Sequence, residues 1–119
     1  RFDIKTAKSI CEYTSKFSLP ILKAFNVSDI DSYNYWQSCP SVAGFVFDAA
    51  KPGSGKTFDR SLIPPLAKPW FLAGGLNTEN IAESIAQCHP WAVDVSSAVE
   101  TNSIKDKEKI KTFIDHVRR

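Results

Sequence analysis

Methionine is absent from the 119 residues, and the chain opens on Arg1-Phe2-Asp3. A sequence without an initiator is expected to be a piece of something longer. Cysteine is sparse. Cys11, Cys39 and Cys88 are far apart, odd in number and form no C-x-x-C pair, and the two histidines do not stand at ligand spacing from them. That set argues against a disulfide framework or a zinc site, and for a reducing compartment, the cytoplasm. No run of about 18 apolar residues occurs, so no membrane span is expected, and no stretch reads as a signal peptide. Charge of one sign is missing too. The net charge is +2, and the one basic cluster, Lys105 to Lys111, interleaves Lys with Asp and Glu. It reads as a solvated helix face, and no nucleic-acid partner is expected.

What is present is an ordinary globular balance, 43% apolar and 24% charged, enough for one small domain. Helical and strand patterns alternate. In "IKTAKSICEYTSKF" the residues Ala7, Ile10, Cys11, Thr14 and Phe17 share one helical face. "LPILKAFNV" is a short strand, and "DIDSYNYWQS" is helical, with Ile30, Tyr33, Trp36 and Gln37 at matching offsets. "VAGFVFDA" is nearly all apolar, as a strand covered on both faces should be. "FDRSLIPPLAK" supports only a short helix, because Pro64 and Pro65 interrupt it. "PWFLAGGL" is a strand. Asn77 caps the helix in "TENIAESIAQC", where Ile81 and Ile85 face inward. "WAVDVSSAVE" is the last strand. In "KDKEKIKTFIDHVRR", Asp106 caps a helix whose stripe is Ile110, Phe113, Ile114 and Val117. Strands separated by helices imply a parallel α/β sheet with right-handed crossovers.

The segment "AAKPGSGKT" imitates the phosphate-cradling loop of nucleoside triphosphatases. Against that, Ala50 stands where the motif has Gly. Pro64 stops the following helix within about two turns, so its N-terminus is poorly built for phosphates. No segment clearly supplies a magnesium-holding strand.

In parallel α/β folds chemistry gathers at the carboxyl ends of strands. Those ends carry Asp48 before Gly53-Ser54-Gly55, then Gly74-Gly75, then Asp94 with Ser96-Ser97-Ala98. Gly-Gly and Ser-Ser are each consistent with a plain tight turn. Two such turns in adjacent loops point instead to backbone amides approaching a phosphate. Asp48 either caps the loop that follows or acts as a general acid, with partial desolvation after "FVF" keeping its proton available. Asp94 reads as an inward structural carboxylate with Lys23 as its candidate partner.

Taken together, "LPILKAF", "FDAAKPGSGKTFD", "FLAGGLNTENIAESI", "PWAVDVSSAVE" and "KDKEKIKTFI" resemble the carboxyl-terminal half of the phosphoribosylanthranilate isomerases, over about Leu19 to Val117. The resemblance implies helix 4 followed by strands 5–8 and their helices of a (βα)8 barrel. It implies an Amadori rearrangement of N-(5-phosphoribosyl)anthranilate in tryptophan biosynthesis, with no metal or cofactor. By the same resemblance, Asp48 matches the general acid, and Gly74, Gly75, Ser96, Ser97 and Ala98 fall in the phosphate-gripping loops. Gly53, Ser54 and Gly55 belong to a loop over the site, which settles against the nucleotide reading. Asp94 matches a carboxylate near the substrate.

Two positions depart from the family: Ala98 replaces a usual Gly, and Arg60 replaces a usual Trp. Ala98 is costly only if its backbone needs φ > 0. More is missing at the other end. The family's general base is a cysteine on the first strand in a K-x-C-G segment, and no cysteine of this chain sits in one. The chain is therefore expected to supply an acid and a phosphate site but no base, and to be inactive alone. Half a barrel leaves two open edges and an exposed interior. Its partner is expected to be the N-terminal half, in the same or another chain, or a second copy of itself. The alternative is a non-catalytic phosphosugar-binding half-barrel or assembly module.

Overall fold

The computed structural model describes residues 3–26, 32–49, 63 and 65–119. Within them β1 (Ile21–Asn26), β2 (Val42–Asp48), β3 (Trp70–Ala73) and β4 (Ala92–Val93) form one sheet. The order is β1-β2-β3-β4 and every pairing is parallel. Right-handed crossovers between sequential parallel neighbours deliver their connecting helices to the same face. The helices are α1 (Ile4–Thr14), α2 (Tyr33–Gln37), α3 (Ile81–Cys88) and α4 (Lys107–Val117). Ala7, Trp36, Ile81 and Phe113, one from each helix, share a buried core with Phe25, Phe45, Phe47, Trp70 and Leu72. The parallel α/β class is as expected from the sequence.

The caps explain where the helices begin. Asp3 accepts hydrogen bonds from the Lys5 amide (3.1 Å) and the Thr6 hydroxyl (2.6 Å) at the start of α1. Asp106, expected as a cap, accepts from the amides of Glu108 (3.0 Å) and Lys109 (3.3 Å). Asn77, also expected, accepts from the amides of Glu79 and Asn80. Its cap closes a turn over residues 78–80, and α3 follows at Ile81.

Aromatic contacts on the helix-facing side tie the strands to one another. Phe25 meets Phe47 edge-on at 5.1 Å and Phe45 at 5.3 Å, and Phe47 meets Trp70 at 6.3 Å. Each such pair contributes about 0.5–1.5 kcal/mol beyond area burial. At the amino ends of the strands, the Lys68 ammonium donates to the carbonyls of Trp36 (3.4 Å) and Cys39 (2.8 Å) and to that of Val42. It thereby closes the end of α2, and partial burial lowers its pKa.

Several expectations are corrected. Among the described residues, the apolar run through β2 is fully covered on its helix face alone. Phe45 and Phe47 are fully buried toward the helices, whereas Leu22 and Ala24 on β1 are exposed on the opposite face. Phe71, Ala73 and Ala92, in the rows that continue across it, are only partly covered by the described residues. Ile10 on α1 and Phe17 beyond its end are exposed, so the packed stripe shrinks to Ala7, Cys11 and Thr14. On α4, Phe113 is buried while Ile110 and Ile114 remain partly exposed. The long last strand is not formed. Only Ala92 and Val93 pair with β3, then Ser97–Val99 makes a 3-10 turn. Glu100–Thr101 (β5) then turns back on Ile104–Lys105 (β6) as an antiparallel hairpin. Of the short helix expected around Pro64, residues 58–62 and 64 lie outside the described residues.

The cysteines are the clearest correction. Cys11 on α1 and Cys39 before β2 form a disulfide, with Cα atoms 6.4 Å apart across 28 positions of sequence. The turn after α2 brings the two together, which spacing alone does not reveal. The cysteine argument for a reducing compartment falls with it.

Two measurements check this description. Thiol titration without reductant should find one reactive thiol, Cys88, and replacing Cys11 and Cys39 by serine should cost about 2–4 kcal/mol in urea unfolding. Three thiols in the unreduced protein would contradict the pairing. The hairpin turn places Asn102 (φ 53°) and Ser103 (φ 62°) in the left-handed region. Ser103→Gly should therefore stabilise by about 0.5–1 kcal/mol in the same assay; a loss would show that the serine side chain holds the turn.

Candidate active site

The parallel register carries three strand ends to one rim. Asn26 pairs with Asp48, and Asp48 with Ala73. The Ala49 amide donates to the Ala73 carbonyl (2.7 Å), and the Asp94 amide to the Leu72 carbonyl (2.8 Å). Continuing that ladder sets Asp94 beside Ala73, on the open face of the sheet with Asp48. A cleft of about 270 Å³ lies there, lined by Asp48, the Ala73–Leu76 turn and Asp94 to Ser97.

The structure thus gathers Asp48, Gly74, Gly75, Asp94, Ser96 and Ser97 around one opening. Gly74 (φ 87°) and Gly75 (φ 66°) are both left-handed, a conformation glycine reaches without a steric cost. The Asn80 amide group donates to the Gly75 carbonyl (2.8 Å), and the Asn77 amide donates to Asn80 Oδ1 (2.9 Å). The glycine turn is therefore fastened to the start of α3. Ala98 does not line the cleft. It sits inside the 3-10 turn, and its φ is not positive, so the alanine carries no left-handed penalty. Gly53, Ser54 and Gly55, expected in a loop over the site, lie outside the described residues, as does Arg60.

Two electrostatic expectations change. Asp48 is exposed among the described residues, so these do not supply the desolvation expected after "FVF". Lys23 is not the partner of Asp94. It stands on the edge strand β1, separated from β4 by two strands, and its ammonium lies 5.2 Å from the Trp36 ring and 5.9 Å from the Phe25 ring on the helix side. Sequence reasoning also missed the β5–β6 hairpin. Its Lys105 ammonium reaches back to the Ser96 carbonyl (3.0 Å) and hydroxyl (3.2 Å). The signal was the Asn102-Ser103 pair, a two-residue turn between Glu100-Thr101 and Ile104-Lys105, hidden by a run that reads as one strand.

A parallel α/β sheet with a small-residue rim and two carboxylates is a ligand-binding α/β architecture. Residues 8–116 match the family model described as N-(5'-phosphoribosyl)anthranilate (PRA) isomerase. The enzyme of that name from Xanthomonas euvesicatoria pv. vesicatoria (strain 85-10) is 42% identical over 120 residues, covering 90% of this chain and 54% of the relative. The phosphoribosyl anthranilate isomerase of Thermococcus kodakaraensis superposes with a TM-score of 0.74 at 31% identity, over 94% of this chain and 58% of that one. Another such isomerase, solved with reduced 1-(o-carboxyphenylamino)-1-deoxyribulose 5-phosphate, superposes at 0.66 with 31% identity, over 99% and 56%. The chain belongs to the phosphoribosylanthranilate isomerase family. It spans about half the length of the curated relatives it matches. Among the described residues no helix is long and apolar enough to cross a membrane.

The turn below Ser96 is anchored through Asp106. Its amide donates to the Val99 carbonyl (2.8 Å), and its carboxylate accepts from the Thr101 hydroxyl (2.7 Å). That hydroxyl, then the Lys109 and Glu108 amides and the Lys109 charge, hold the Asp106 carboxyl below its usual range. A depressed folded pKa contributes stability above the unfolded value, and this is lost as pH falls through the folded one. The thermal midpoint of the wild type should exceed that of Asp106→Asn by a constant margin down to about pH 4 and lose the margin in stronger acid. A margin independent of pH would contradict the cap's ionic role.

Proposed function

We propose that this chain is the carboxyl-terminal half of a (βα)8 phosphoribosylanthranilate isomerase, contributing helix 4 and strands 5–8 of the barrel. The reaction is the Amadori rearrangement of N-(5-phosphoribosyl)anthranilate to 1-(2-carboxyphenylamino)-1-deoxyribulose 5-phosphate. The observation that carries this reading is a cleft at the carboxyl rim, where Asp48 and Asp94 stand with two small-residue turns.

In this reading Gly74, Gly75, Ser96, Ser97 and Ala98 belong to the loops that hold the 5-phosphate, with Gly53, Ser54 and Gly55 over the site. The phosphate fixes one end of the substrate, so the ribose ring is presented to the carboxylates. Asp48 gives its proton to the ring oxygen and the ring opens to the iminium. A base removes the proton from carbon 2, and the enolamine tautomerises to the ketone. Asp94 stands beside the substrate. No described residue of this chain matches the family's cysteine base, so the base comes from the N-terminal half of the barrel, in the same or another chain.

That half has a second task. The uncovered face of β1–β4 is the barrel interior, and its closure removes water from around the rim. Burial of a carboxyl group favours its protonated form, which is the form an acid catalyst needs. The exposure of Asp48 among the described residues is what half of such a site looks like.

In the complete enzyme Asp48→Asn should lower kcat by about 10²–10⁴-fold while binding of the phosphorylated substrate changes little. Steady-state kinetics with a parallel ligand titration checks this. Undiminished turnover would remove Asp48 as the acid.

A further inference from the structure

The hairpin after the Ser96–Ser97 turn holds a feature that the rearrangement does not require. Lys105 pairs with Glu100 across β5–β6, and its ammonium makes three contacts: Ser96 carbonyl at 3.0 Å, Ser96 hydroxyl at 3.2 Å and Glu100 Oε1 at 2.6 Å. An ammonium has three donors, and all three are occupied. The Lys109 ammonium fastens the Glu100 carbonyl (2.7 Å), so the strand carrying Glu100 is tied to α4 as well. Lys105 itself does not line the cleft, whereas Ser96 does.

The direction of the hydrogen bonds matters. Lys105 can only donate, so the Ser96 hydroxyl accepts from it and keeps its own proton for another acceptor. A hydroxyl held this way at the rim of a cleft is oriented as a donor. The ammonium behind it adds positive charge, which favours an anion in front. The side chains of Lys105 and Glu100 are 53% and 23% exposed. A pair this exposed contributes little to folding, so its effect should be read in ligand recognition.

We propose that Lys105 is a positioning residue for phosphate recognition, acting through Ser96 by turning its hydroxyl into a donor toward a phosphate dianion in the cleft. The inference rests on the reading of that cleft as the phosphate site.

The test is calorimetric titration of inorganic phosphate into the protein as the cell makes it, for the wild type, Lys105→Met, Lys105→Arg, Glu100→Gln, Ser96→Ala and the Lys105→Met/Ser96→Ala double variant. Lys105→Met should weaken phosphate binding about tenfold, the size expected for a lost charge-assisted hydrogen bond. Lys105→Arg should recover most of the loss. Glu100→Gln leaves the Ser96 contacts in place and removes the carboxylate that offsets the ammonium, so it should bind phosphate at least as tightly as the wild type. Ser96→Ala should add little once Lys105 is gone, because the two act as a unit. If Lys105→Met does not fold, Lys105→Gln, which keeps a donor, is compared in the same cycle. Unchanged binding by the lysine variant, or additive losses in the double variant, overturns the role of Lys105. Failure of the wild type to bind phosphate overturns the phosphate reading of the cleft, and the inference with it.

Discussion

The register of β2 between its two neighbours decides where every candidate group stands. Phe47 pairs with Phe25 on one side and Leu72 on the other, and all three are buried under the helices. One residue further on, Asp48 aligns with Asn26 and Ala73 at the rim. A slip of one residue would exchange the two faces, burying Asp48 among aromatics and exposing Phe47. The aromatic packing therefore does more than stabilise. It keeps the carboxylate and the two small-residue turns on a common edge, which is the condition for any shared chemistry there.

Much of this was legible in the residues. Asp106 and Asn77 announced their caps by type and position, and the alternation of apolar runs gave the parallel class. Gly74-Gly75 and Ser96-Ser97 pointed to the rim because strand ends in such folds have a known polarity. Other features depend on neighbours that no linear pattern contains. The Cys11–Cys39 bond joins residues 28 positions apart, brought together by the packing of α1 beside the turn before β2. Lys23 and Asp94 looked like a pair because both are charged residues within apolar strands, yet the sheet order sets them on opposite edges. "WAVDVSSAVE" looked like one strand. Only two of its residues find ladder partners on β3, and the rest turns into the hairpin that holds Ser96.

The open face ties these observations to function. A four-stranded parallel sheet with helices on one side has covered half of what a parallel sheet ordinarily covers. Here the side that the described residues leave uncovered is also the side that bears Asp48 and the cleft. In the reading proposed above, the surface that lacks a cover and the reaction that lacks a base are one deficiency, met by one complement. Apolar residues left exposed on α1, and partly exposed on α4, are accounted for in the same way, as contacts for neighbouring barrel units.

The most direct test is turnover of N-(5-phosphoribosyl)anthranilate by the 119-residue chain alone and after co-refolding with the N-terminal half of a related isomerase. The account predicts no turnover by the chain alone, and turnover in the complemented sample that disappears when the cysteine on the first strand of the added half is replaced. Turnover by the chain alone, or a folded complemented barrel with none, would contradict it.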